Sequence, residues 1–201
     1  GVEDIFEDAP KYRTLNSLNT KLFLNDNGKF KSFNLPEVVQ FTPTFGIAVE
    51  DFDLDGLLDI ALCQGFNDFY GSDEPQTNNS HLILLNRIVA DGKFEVRRNT
   101  GIARNGTYPR VAGCGDFNED NRPDLIIPDY NGGIRYYTNI NPKQGIKLRL
   151  NGDSTKLIGL KARLRYKDGS SGPMYEYVPK YGYRKEAPSH FIFGVRSPVE
   201  V

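Results

Sequence analysis

Apolar and polar residues alternate along the chain in short runs, and no stretch sustains the three-to-four-residue recurrence of an amphipathic helix. The runs are three to five residues long and are bounded by Gly, Pro, Asn and Asp, which predicts strands joined by turns. The clearest are Lys21–Leu24, Phe45–Val49, Asp59–Leu62, Leu82–Leu85, Phe94–Arg97, Val111–Gly115, Leu125–Ile127 and Ile134–Tyr137. Further strands are predicted at Ile146–Leu150, Ala162–Tyr166, Met174–Val178 and Phe191–Phe193. The fold class is therefore all-β. Richness in β-favouring aromatics (13 Phe and 11 Tyr) and in turn formers (20 Gly and 12 Pro) agrees with it.

The pattern repeats. Asp51-Phe-Asp-Leu-Asp-Gly-Leu-Leu-Asp59 returns 65 residues later as Asp116-Phe-Asn-Glu-Asp-Asn-Arg-Pro-Asp124. The strand ending Leu24-Asn25 returns at Leu85-Asn86, and Ile134-Arg-Tyr-Tyr-Thr-Asn139 looks like a third copy. One unit reads as strand, acidic loop, strand, turn, strand, turn, strand, about the size of a four-stranded propeller blade with its loops. The polar stretch Gly65–Ser80 interrupts the repeat as a long loop carrying Phe66, Phe69 and Tyr70.

The acidic loops carry the candidate chemistry. Alternate residues set oxygen side chains on one side of a tight turn, and position 6 must turn sharply, often with a positive φ. Gly56 does this without steric cost, and Asn121 is the best substitute. The first loop would ligate a cation through Asp51, Asp53, Asp55, the Leu57 carbonyl and Asp59. The second would use Asp116, Asn118, Asp120, the Arg122 carbonyl and Asp124. Hard oxygen donors in this number suit Ca²⁺, giving two sites; Mg²⁺, which demands a strict octahedron and keeps its waters, suits them less. An EF-hand is excluded, because position 12 is Leu62 or Ile127 instead of Glu and the flanks read as strands.

These loops, with Phe45-Gly46-Ile47-Ala48 and the run from Gly101 to Asp116, resemble FG-GAP/VCBS repeats, the calcium-binding blades of integrin-α-like β-propellers. Gly1–Ala9 is similar to a segment that opens such blades. The second loop departs from the pattern at Asn121 and lacks a preceding Phe-Gly. The tail resembles the ASPIC/UnbV domain of the cartilage acidic protein group, through Leu148–Gly152, Ile158-Gly159, Ala162-Arg-Leu164, Gly182-Tyr183 and His190–Gly194. Here Leu160-Lys161 separate Gly159 from Ala162, where the family runs on directly, which marks a divergent member.

The resemblance implies a partial propeller over residues 1–141 and a small β-rich domain over 142–201. It also implies structural calcium, placement outside the cell or at its surface (the periplasm included), and recognition, adhesion or assembly without catalysis. Expected partners are a protein or acidic glycan, a second copy of the chain, or the remaining blades of a longer propeller, since two acidic-loop units are too few to close a ring of 4–8 blades. The alternative is a polysaccharide-binding or polysaccharide-degrading propeller, with the Gly65–Ser80 loop and the basic tail forming a cleft.

Charge sharpens this division. The net charge of −1 conceals thirteen basic against twenty-one acidic residues up to Asn141, and twelve basic against five acidic after it. The tail is therefore fit to face an acidic polymer or the acidic repeats of its own chain. Lys161, Arg163 and Arg165 alternate, as if along one strand face. A near-neutral chain has no overall footprint for nucleic acid, and no apolar run is long enough to span a bilayer. No nucleophile elbow, zinc-protease helix or phosphate-binding loop is present. His81 and His190 read as structural, and Cys63 and Cys114 as free thiols or one bridge. Sequons stand at Asn78 and Asn105.

Overall fold

The computed structural model describes residues 19–64, 81–88, 92–97, 102, 111–129, 133–179 and 189–196. The Gly65–Ser80 loop, both sequons, Gly182-Tyr183 and the opening Gly1–Ala9 segment lie outside the described residues. The chain divides after Asn34 into two compact units. No helix among the described residues is long and apolar enough to cross a membrane.

The first unit holds an antiparallel hairpin of β1 (Leu22–Asp26) and β2 (Lys29–Phe33). Its two-residue turn is Asn27-Gly28, with φ of 51° and 83°. A hairpin whose turn matches the strand twist needs two positive φ values, and Asn-Gly meets that need at low cost.

The second unit, Leu35–Val201, begins with a 3₁₀ turn at Glu37–Gln40. A four-stranded antiparallel sheet follows: β3 (Thr44–Glu50), β4 (Asp59–Gln64), β5 (His81–Arg87) and β6 (Lys93–Arg97), in chain order. Every residue of β4 is buried, as a short apolar run bounded by polar residues requires of a central strand. A three-stranded antiparallel sheet comes next: β7 (Gly113–Gly115), β8 (Asp124–Asp129) and β9 (Gly133–Tyr137).

The two sheets stack through one hydrophobic core. Ala48, Phe52, Ala61 and Cys63 from the first meet Ala112, Leu125 and Ile127 from the second. Gly46 fixes the closest approach: a Cβ there would lie 2.8 Å from the Val111 carbonyl carbon and 2.9 Å from the Ala112 nitrogen. The glycine of the Phe-Gly pair therefore serves sheet packing, while Phe45 lies on the opposite face of β3. β7 is shorter than the predicted Val111–Gly115, with Val111 and Ala112 lying against Gly46 outside the ladder.

The remaining strands are short. β10 (Ile146–Arg149) pairs with β13 (His190–Phe193), and β11 (Lys161–Ala162) with β12 (Tyr175–Glu176). A one-turn helix, α1 (Ser154–Leu157), is N-capped by Asp153. Tyr177, Phe191 and Phe193 form a second core. The strand predicted over Ala162–Tyr166 is only β11 plus an isolated Arg165–Ser171 bridge, because the chain turns at Gly169 (φ 81°) before a ladder can extend. The tail of this unit contacts the repeats directly, for example through Tyr175, whose hydroxyl donates to Glu50 at 2.6 Å. No disulfide joins Cys63 and Cys114.

Candidate metal centre

Each acidic loop links the first and second strands of a sheet, β3 to β4 and β7 to β8. The two loops share one hydrogen-bond plan. In loop one Asp51 accepts from the backbone N–H of Asp55 at 3.0 Å and of Gly56 at 2.8 Å. In loop two Asp116 accepts from Asp120 and Asn121, both at 3.0 Å. Asp55 accepts from Leu57 N–H at 2.9 Å, and Asp120 from Arg122 N–H at 3.0 Å. Asp59 and Asp124 bridge back to the N–H of Phe52 and Phe117. Position 6 is left-handed as the sequence predicts, with φ of 85° at Gly56 and 63° at Asn121. Position 4 is left-handed too, at Leu54 (55°) and Glu119 (63°), which sequence reasoning does not find because neither residue favours it.

Asn86 and Asn139 are further supports. The backbone N–H of Asn86 donates to Asp59 and that of Asn139 to Asp124, both at 2.8 Å. Their side-chain amides donate to the Leu58 and Pro123 carbonyls, both at 3.1 Å. The strand-terminal Asn of the repeat thus ties the end of the third strand of each sheet to its loop.

The loops differ in charge. In loop one the carboxylates of Asp51, Asp53 and Asp59 each bring an oxygen to within 4.8 Å of one another, a grouping able to hold a metal ion. Asp51 and Asp59 are fully buried, and Asp53 Oδ1 is buried without a hydrogen-bond partner. Burial pushes the Asp51 carboxyl up to about 7 and that of Asp59 to about 8, with the neighbouring Asp side chains adding to the rise. Buried like charges of this kind favour protons or a cation. Asp55 is also raised, by burial and by Asp53. Arg87, on β5, forks across the rim to Asp53 and, at 2.6 Å, to Asp55. Arg87, which also pairs with Glu95, and Lys143, whose ammonium lowers Asp55, set two cations against four carboxylates and leave the loop short of positive charge. The donor set is all oxygen, which fits a hard divalent ion.

Loop two does not gather its carboxylates in this way; protein donors meet them instead. Lys147, on β10, donates to Asp116 Oδ2 at 2.7 Å, both side chains being nearly inaccessible. Burial alone would raise Asp116, but the Lys147 ammonium and the two backbone N–H groups outweigh it and hold the carboxyl low. Arg122 and Asn118 donate to Asp120, and the Tyr136 hydroxyl donates to Asp124 at 2.7 Å. The three carboxylates face two cationic side chains.

The basic tail meets both loops, as the charge division anticipated for a chain that faces its own acidic repeats. Lys143 Nζ lies 3.3 Å from the Asp53 carbonyl, and His190 accepts from the Asp116 N–H at 3.2 Å. Gly194 sits directly against loop one: a Cβ there would fall 2.0 Å from Asp51 Oδ2 and 2.7 Å from the Leu54 backbone. Arg87, Lys147, Asn139 and Gly194 are thus site residues that reading the loops alone does not supply. His81 is buried at the start of β5, where burial and then Arg135 depress its pKa.

No protein-family model matches the chain, and no curated protein matches it in sequence.

Proposed function

We propose that the chain is a non-enzymatic, Ca²⁺-stabilised recognition module that works outside the cytoplasm. In this reading the two stacked sheets are blades of an FG-GAP/VCBS-type propeller, and residues 142–201 form an ASPIC/UnbV-like domain docked on them. The carrying observation is the buried Asp51–Asp53–Asp59 grouping with its unpartnered Asp53 oxygen. Asp55 and the Leu57 carbonyl complete the shell of loop one. Loop two, through Asp116, Asn118, Asp120, the Arg122 carbonyl and Asp124, binds a second Ca²⁺ more weakly, because Lys147 must first leave Asp116. Calcium pins the turn that feeds two strands, a structural role suited to the weak sites that serve where calcium is abundant.

The row Lys161, Arg163 and Arg165 favours an acidic glycan as one ligand, since all three side chains are exposed. The alternative, a polysaccharide-degrading protein, predicts turnover on the same glycans, and a glycan array run beside a product assay separates the two. Binding without product supports recognition; product overturns it. For the metal, melting is followed in chelator and in Ca²⁺. Calcium raises the melting temperature of the parent chain and does so far less in Asp53→Asn. Equal melting in chelator and calcium refutes the proposal.

A further inference from the structure

The stacking of the two sheets is itself a repeated pattern with one copy unused. On the inner face of the first sheet Ala48, Ala61 and Ile83 lie side by side across β3, β4 and β5, with Phe52 and Cys63 completing the surface that packs on the second sheet. The 65-residue offset carries Ala48, Phe52, Ala61 and Cys63 onto Gly113, Phe117, Ile126 and Pro128. The strand-end asparagines align Ile83 with Tyr136. The ladder agrees: Gly113, Ile126 and Tyr136 lie side by side across β7, β8 and β9. These residues form the outer face of the second sheet, opposite the one that packs on the first. Phe52 is 7% exposed, whereas its counterpart Phe117 is 52% exposed and Tyr136 is 45% exposed. Their rings stand edge to face at 6.0 Å, a preorganised apolar pair.

The surface that receives the first sheet has a counterpart too. Ala112 and Cys114 correspond to Ile47 and Val49, on the face of β3 turned away from the core. Ile47 and Val49 are 54% and 47% exposed, and Phe45 continues the stripe. Ile60 and Leu62, the counterparts of Leu125 and Ile127, are already buried, so the open part is the β3 side. Within the chain β3 also carries the close approach of the two sheets, through its opposite face, where Gly46 meets Val111 and Ala112. The two open faces point to opposite ends of the stack and cannot meet within one chain.

We propose that the outer face of the β7–β9 sheet, centred on Phe117 and Tyr136, docks the β3 stripe Phe45–Ile47–Val49 of a second copy of this chain. The contact repeats between chains the one the two sheets make within a chain. It is head-to-tail, so it continues from copy to copy until a ring closes or a filament grows. It rests on the repeat reading, and Tyr136, which also donates to Asp124, ties its β7–β9 side to loop two.

The test is the solution mass of the full chain from low concentration to about 100 µM, since a contact of micromolar strength is populated there. It is run in Ca²⁺ and in chelator, with melting recorded alongside. Expected masses are multiples of 22.7 kDa that grow with concentration. Phe117→Asp and Ile47→Asp each reduce the chain to monomer, and mixing the two variants restores a one-to-one pair through the intact face of each. Ile134→Lys, at a 74% exposed position on the same face, replaces Phe117→Asp should that variant melt early. A monomer at every concentration, undiminished assembly in the variants, or failure of the mixture to pair overturns the proposal. Loss of calcium-dependent melting with assembly intact counts only against the metal reading.

Discussion

Gly194→Ala perturbs the contact between the tail and loop one by a single methyl group. The new Cβ would lie 2.0 Å from Asp51 Oδ2 and 2.7 Å from both Cα and carbonyl carbon of Leu54. None of these atoms can swing aside as the end of a flexible side chain would. Leu54 is held in a left-handed conformation, and Asp51 is fixed by two backbone N–H groups. Overpacking of a well-filled site costs about 1–3 kcal/mol, and backbone opposition puts this case at the upper end, ~3 kcal/mol. For a chain of this size each kcal/mol lowers the melting temperature by about 2–4 °C, so a fall of about 6–12 °C is expected. The control is Gly133→Ala at the exposed start of β9, where a Cβ meets nothing within 4 Å; its effect stays within about 0.5 kcal/mol. Thermal melting in calcium compares the two. If Gly194→Ala melts with the parent and the Gly133 control, the tail does not seat against loop one and the reasoning fails.

Other predictions follow from the same geometry. Lys147→Met leaves Asp116 buried without its counter-charge and costs about 3–5 kcal/mol in chelator, and saturating Ca²⁺ recovers much of it in a melting assay. Asn139→Ala removes the side-chain amide that donates to Pro123 and Phe52 carbonyls and lowers stability by about 1–3 kcal/mol in denaturant titration; an unchanged midpoint would refute its supporting role. Asp51 and Asp59 have folded pKa values above their unfolded ones, so without metal they stabilise the fold below about pH 4 and lose that contribution as pH rises through about 7 to 8. Chelated protein should therefore melt higher at pH 5 than at pH 8, with the depressed His81 opposing weakly below about pH 6.5, and calcium should abolish the difference.

Much of the site was legible because short-range sterics and chemistry dictate it. Alternating acids from Asp51 to Asp59 can share a turn only if position 6 is left-handed, and Gly56 and Asn121 announce that. The strand runs were legible for the same reason, a two-residue period bounded by turn formers, and β4 and β8 fall where they should. What escaped depends on distant partners. Arg87 reads as an ordinary strand-end cation until β5 brings it over Asp53 and Asp55. Lys147 lies 31 residues from Asp116, and only the β10–β13 pairing aims it there. That ammonium adds to the charge difference that Asn118, in the place of Asp53, already writes into the two loops. The left-handed Leu54 and Glu119 carry no sequence signal, since neither residue favours that conformation and the loop closure imposes it. β2 was not among the predicted strands, because Lys29–Phe33 is mostly exposed and its hairpin rests on the Asn27-Gly28 turn.

The most direct measurement of the central claim is an anomalous difference map from crystals of the intact chain grown with Ca²⁺ and then exchanged for Tb³⁺. The account predicts a peak in loop one within about 2.3–2.6 Å of oxygens from Asp51, Asp53 and Asp59, with a weaker peak or none in loop two. A map with no density in loop one, its carboxylates protonated or paired only with Arg87, would contradict it.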